Sequence, residues 1–151
     1  MSQSYTLLHY HVVFGTKRRE PSIVSRLREP LYRYLGSLSH HRRANLVACG
    51  GIADHVHMLV RLRPDTAVSA FVRAIKATSS RWINKEQLTP SRFAWQSGFS
   101  AFTVSQSSVA AVSRYINNQP EHHRRQTYAE ELNELLTRHG LAHTDSRKPI
   151  P

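Results

Sequence analysis

Gly51-Ile52-Ala53-Asp54-His55-Val56-His57-Met58-Leu59-Val60 is the stretch on which the reading of the fold turns. A strand has a side-chain period of two, so His55 and His57 share one face while Val56, Met58 and Val60 share the other. The Val and Met side is the core side, and the two imidazoles stand side by side on the more open face. The strand runs from His55 to Leu62, and Pro64 closes it. Before it, Asn45 to Ile52 read as another strand, where Gly50-Gly51 signals a bulge or a tight backbone approach.

Further out, residues 5 to 14 alternate, with Leu8, Tyr10, Val12 and Phe14 on one face and Leu7, His9, His11 and Val13 on the other. Between the first two strands, Ile23, Leu27, Leu31, Leu35 and Leu38 recur at helical spacing. A second amphipathic helix spans about Thr66 to Gln87, and Phe99 to Ser105 form a fourth strand. Ser107 or Ser108 then caps a helix through Val109, Val112, Tyr115 and Ile116, which Pro120 breaks or kinks. Tyr128, Leu132, Leu135 and Leu136 continue in helical spacing to a stop at Gly140. The order predicts an α+β, ferredoxin-like split βαββαβ antiparallel sheet with helices on one face and additional C-terminal helices. Residues 1–140 make one domain, and 141–151 are expected to be a disordered tail.

The chain has 151 residues, enough for one apolar core, and carries 21 Lys plus Arg against 10 Asp plus Glu, for a net charge of +11. Polyanions are its natural partners. A membrane surface is also polyanionic, but no apolar run approaches the roughly 18 residues of a spanning helix, and the start lacks the apolar core of a signal peptide. The expectation is a cytoplasmic protein. Its single cysteine, Cys49, excludes an internal disulfide or a cysteine-cluster zinc site and reads as a buried strand thiol.

Two imidazoles on one strand face can offer nitrogen ligands to one metal ion. The signal is weak alone, since His9 and His11 repeat it, and either pair reads equally well as hydrogen-bonded histidine. Tyr115 and Gln119 are four apart and share a helix face. A tyrosine hydroxyl can attack phosphorus and an amide oxygen can ligate a metal. The plainer reading is a half-buried core tyrosine and a solvated helix end.

Together, His55-Val56-His57 and Tyr115-Ile116-Asn117-Asn118-Gln119 resemble, in order and spacing, the single-tyrosine HUH transposases of small bacterial insertion sequences, of the insertion sequence 200/605 type. The resemblance extends to Tyr10-His11-Val12-Val13-Phe14, the approach from Trp95 to Phe102, and Gln119-Pro120-Glu121-His122-His123. It implies His55, His57 and Gln119 as ligands of a divalent metal, Mg or Mn, and Tyr115 as nucleophile toward single-stranded DNA with hairpin ends. The product would be a 5'-phosphotyrosine and a free 3'-hydroxyl. It also implies a homodimer in which Tyr115 of one subunit serves the histidines of the other or its own. Zinc is the less favoured ion because no further strong ligand is evident. The strand would be gripped by candidates among Lys17, Arg18, Arg19, Arg42, Arg43, Arg73, Lys76 and Arg81.

This sequence departs from the family where Arg18 follows Lys17 in place of an aromatic, and where Gln106 replaces a glycine. Asp54 reads as a turn residue ahead of a partner that orients His55 or an occasional metal ligand, and His9 and His11 as structural or DNA-facing. The rivals are a catalytically silent nucleic-acid-binding regulator and a domesticated nuclease acting on repeated hairpins.

Overall fold

The computed structural model describes residues 3–141. Strand β1 (Leu8–Gly15) leads into helix α1 (Ser25–His41), then β2 (Asn45–Ile52), β3 (His55–Leu62), helix α2 (Val68–Lys85) and β4 (Ser100–Val104). Three further helices follow: α3 (Val109–Asn117), the single turn α4 (Gln119–His122) and α5 (Tyr128–Arg138). The strands lie in the order β2-β3-β1-β4 and every pairing is antiparallel, the split arrangement that the sequence predicts. Residues 142–151, which hold most of the expected tail, lie outside the described residues.

Register sorts the sheet into two faces. Val12 pairs with Met58 and Phe14 with Val56, so the apolar side of both central strands is continuous. It packs on Leu27, Leu31 and Leu35 of α1 and on Phe71, Val72, Ile75 and Ile83 of α2. The other face carries His11, Val13, His55, His57 and Leu59, because Val13 pairs with His57 and His11 with Leu59.

That second face is not open, which corrects the expectation of helices on one face only. Ile116 of α3 packs on Ala48 and Leu59, and Tyr128, Leu135 and Leu136 of α5 pack on Val13 and Phe102. His55 and His57 are therefore fully buried. The physical reason lies in the sequence: α3 and α5 each have an apolar stripe to bury, and Val13, Leu59 and Phe102 supply the matching surface.

Two glycines let the upper layer approach. A Cβ on Gly50 would meet the carbonyl oxygen of Ile116, so α3 can lie against β2 only where no side chain intervenes. A Cβ on Gly15 would lie 2.8 Å from the edge of the Tyr128 ring. The Gly50-Gly51 signal thus resolves to close approach, while the bulge sits between Leu46 and Ala48. Ser108 stands at the N-cap of α3, as expected, at the end of a 3-10 turn over Gln106–Ser108, but its side chain makes no cap bond.

The helical run through Tyr115 ends at Asn117, and Pro120 stands in the first turn of α4, where its missing N–H is not needed. Helix α5 begins afresh at Thr127, whose hydroxyl accepts the Glu130 N–H at 3.2 Å. It ends before Gly140, whose φ of 71° is the left-handed stop expected there.

Gly50→Ala should lower stability by roughly 1–3 kcal/mol, the usual cost of forcing atoms into a packed site. Urea unfolding checks this, and an unchanged midpoint would show that α3 does not need the approach.

Candidate metal centre and its tyrosine

Strand parity places His55 and His57 on the buried second face, and α4 and α5 bring three more polar groups down onto them. His55 Nε2 lies 3.2 Å from Gln119 Oε1 and 3.1 Å from Glu131 Oε1. His57 Nε2 is 2.8 Å from the same carboxylate oxygen, and His123 Nε2 is 2.9 Å from Gln119 Oε1 and 3.1 Å from Glu131 Oε1. Atoms of His55, His57, His123 and Glu131 all fall within 4.8 Å of one another, a spacing that one ion can bridge.

The outer nitrogens set which atoms face inward. His55 Nδ1 lies 2.7 Å from Asp54 Oδ1 and His123 Nδ1 is 2.6 Å from the Gln126 carbonyl, so each donates outward and leaves Nε2 bare. His57 Nδ1 pairs with His11 Nε2 at 2.7 Å, and a proton on His57 Nδ1 frees its Nε2 in the same way. Gln119 Nε2 donates to Glu131 Oε2 at 2.8 Å, which turns its Oε1 toward the histidines. Three imidazole nitrogens, a carboxylate oxygen and an amide oxygen then converge with no donor between them. Acceptors so placed repel unless a cation or a proton lies among them, and the donor set fits a divalent metal.

Electrostatics agree. Burial would raise the Glu131 carboxyl, but the close approach of the His123, His55 and His57 imidazoles outweighs it and holds the group far below the usual carboxylate range. Burial lowers His57 to about 4, partly offset by Glu131, and burial with the His57 neighbour lowers His11 to about 3. Both rings are neutral near pH 7. Burial also disfavours charge on His55, yet Asp54 and Glu131 hold it above its ordinary value.

Tyr115 meets this cluster directly. Its hydroxyl donates to Glu131 Oε2, and its ring stands edge-on to His57 at 5.7 Å. Burial and the hydrogen bond to Glu131 push the phenol well above its ordinary pKa, so it rests protonated. Tyr128 stacks on the outer face of His55, rings 4.1 Å apart and within 6° of parallel.

The structure therefore brings together His55, His57, Tyr115 and Gln119, the four residues singled out in the sequence. Asp54 does occupy the turn before β3, and its carboxylate also orients His55. His11 is structural, as a buried partner of His57. Glu131 and His123 were missed, and with them the reason for setting zinc aside falls away. The overlooked signal is a carboxylate on the apolar stripe of α5, between Tyr128 and Leu135, just after the capping pattern Thr127-x-x-Glu130.

The basic candidates stand in several places, and Lys76 and Arg81 of α2 share one cleft with Lys85 and Arg92. Lys17–Arg19 make an exposed 3-10 turn with Arg18 and Arg19 at φ of 56° and 55°. The Arg19 guanidinium lies over the Tyr128 ring, 5.6 Å from its centroid, close to the cluster. Arg42 and Arg43 line a separate cleft beside Thr66 and Thr78. Arg73 and Arg81 project from α2, whereas Lys76 donates to the Gln96 and Gly98 carbonyls, both at 2.6 Å, and holds the approach to β4. Cys49 is partly buried, and its thiol is pushed up by burial.

A family model described as IS200-like transposase matches residues 4–119. The ISDra2 transposase TnpA of Deinococcus radiodurans is 27% identical over 118 residues, covering 74% of this chain and 84% of that protein. The transposase of insertion sequence element IS200 from Salmonella typhimurium is 29% identical, covering 74% and 76%. A crystal structure of a Deinococcus radiodurans R1 protein assigned as a transposase superposes with a TM-score of 0.62 at 27% identity, over 79% of this chain and 96% of that one. A REP-associated tyrosine transposase bound to a REP hairpin shares the fold, with a TM-score of 0.61 at 15% identity, over 100% and 94%. His123 and Glu131 lie beyond the residues that the family model matches.

Asp54→Asn should weaken Mn²⁺ binding by about 10–100-fold, as loss of a ligand-orienting carboxylate does. Glu131→Ala should weaken it at least as much. Calorimetric titration of Mn²⁺ reads both, and unchanged affinity in Glu131→Ala would remove that residue from the ligand set.

Proposed function

The chain belongs to the IS200-like transposase family, and from that premise we propose that it cleaves and rejoins single-stranded DNA at hairpin-marked ends, with Tyr115 as the nucleophile. One observation carries the assignment: the Tyr115 hydroxyl, the Gln119 amide and the His55 and His57 imidazoles all meet on the carboxylate of Glu131. A divalent metal held by His55, His57 and Gln119, with His123 and Glu131 as added ligands, would supply charge to polarise a nonbridging phosphate oxygen. Three imidazoles favour Mn²⁺ over Mg²⁺ and bring Zn²⁺ within the donor preference.

The protein's own groups do the rest. The Tyr115 oxygen, held by its hydrogen bond to Glu131 Oε2, bonds to phosphorus as the bond to the 3' oxygen breaks, and the hydroxyl proton ends on that 3' oxygen. That leaves a 5'-phosphotyrosine and a free 3'-hydroxyl. A second strand's 3'-hydroxyl can reverse the step without ATP, because the phosphodiester is exchanged rather than hydrolysed. Arg19, held over Tyr128 beside the cluster, is the best placed of the basic candidates to steady the strand near the cut. The hairpin on the REP-associated relative supports a hairpin as the ligand.

Residues 1–140 act as one unit in this reading, since α5 supplies Glu131 to a site otherwise built before residue 124. The chain works as a homodimer in the bacterial cytoplasm, on the nucleoid. Exchange of Tyr115 between subunits is not required, because one chain already brings its hydroxyl to its own cluster. Among the described residues no helix is long and apolar enough to cross a membrane.

With Mn²⁺ and each single strand of the gene's flanking DNA, the protein should form a covalent adduct on a denaturing gel. Tyr115→Phe should form none while hairpin binding is largely retained. An adduct in that variant would sink the nucleophile assignment.

A further inference from the structure

Beside the tyrosine, a slot of about 540 Å³ opens between α3 and α5 with β4 as its floor. We propose that it holds one unpaired nucleobase of the strand whose phosphate Tyr115 attacks; this rests on the strand-transfer reading above. Tyr115 itself forms part of the lining. A base lodged there is thus within a nucleotide's reach of the attacked phosphate.

The lining matches a base in chemistry. Phe102 presents its ring from β4, and His139 from the end of α5 already stacks on it, centroids 4.2 Å apart and planes 23° from parallel. Phe102 is almost fully buried beneath it, so the outer face of His139, an exposed residue, is the aromatic surface on which a nucleobase extends that stack. His139 is held in place by a hydrogen bond from Nδ1 to the Leu135 carbonyl at 2.8 Å. Across the slot, Ala111 and Val112 of α3 offer a low apolar wall against which the other face of a flat ring can lie.

The rim suits the polar edges of a base. Ser105 brings a hydroxyl to it, and β4 is the last strand of the sheet, so among the described residues its outer backbone N–H and C=O groups have no strand partner. Stacking with a few adaptable hydrogen bonds is how single strands are held with little sequence preference. The volume lies within the range of small-ligand sites. The net charge of +11 favours a ligand that brings phosphates with it over a neutral apolar one.

The test uses the full chain and a short thymidine oligonucleotide with one 5-iodouracil, which cross-links to a stacked aromatic on irradiation. The peptide carrying His139 should be labelled. In Ala111→Trp, an exposed position whose new ring fills the slot, that labelling should fall at least about tenfold, within the range that loss of one base stack produces. Labelling confined to other surfaces of the wild-type protein, such as α2, overturns the proposal. So does equal labelling of the slot in a folded Ala111→Trp protein. The outcome separates from that of the adduct assay: labelling here without any Tyr115 adduct sustains the slot and sinks strand transfer. An adduct without labelling here sinks the slot alone.

Discussion

A single carboxylate, that of Glu131, is the group on which the upper half of this molecule depends. It is almost fully buried, and an isolated charge in such a place would cost several kcal/mol. Its two oxygens divide the work that prevents this. Oε1 faces the Nε2 atoms of His55, His57 and His123, and Oε2 accepts from Tyr115 and Gln119. Five side chains from β3, α3, α4 and the turn after it are thus tied to one residue of α5. A helix distant in sequence from the histidines is held on the sheet by the same contacts that shape the site.

That arrangement works because the sheet has two usable faces. One is filled by α1 and α2 around Phe14, Met58 and Phe71, and no chemistry is placed there. The other is apolar at Val13, Leu59 and Phe102 and polar at His11, His55 and His57, so packing and ligation share a surface. Gly50 and Gly15 set the distance between layers: side chains there would press on α3 and on Tyr128, and Gln119 and Glu131 follow those elements in the chain. Close backbone approach at β2 is therefore a condition for the convergence of groups at β3.

The outer groups explain why the inner ones point as they do. Asp54, the Gln126 carbonyl and His11 each pair with an Nδ1 of the three ligand-type histidines, and the remaining nitrogens turn inward. Low pKa values at His57 and His11 keep both rings neutral, as metal ligation and a fixed hydrogen bond between two imidazoles require. Basic side chains stand in several places on the surface, with Lys76, Arg81, Lys85 and Arg92 lining one cleft along α2. Arg19 stands beside the cluster, Arg42 and Arg43 line another cleft, and Lys76 is committed to loop carbonyls.

Period-two alternation in β1 and β3, helical spacing in α1 and α2, and the order of the elements were enough to predict the sheet, because these patterns record local geometry and burial together. The pairing of His55-x-His57 with Tyr115 and Gln119 was legible too, through family spacing that runs within the first 119 residues. What sequence could not supply was the fate of the second sheet face. Whether His55 and His57 meet water or a helix depends on where α5 docks, and docking is a contact between residues more than 70 apart. The same contact made Glu131 and His123 ligand candidates. On paper Glu131 is an ordinary acidic residue of an amphipathic helix, and only its position on the apolar stripe hints otherwise. Tertiary structure decided its role, because a carboxylate becomes a ligand when packing removes water and leaves imidazoles as its nearest partners.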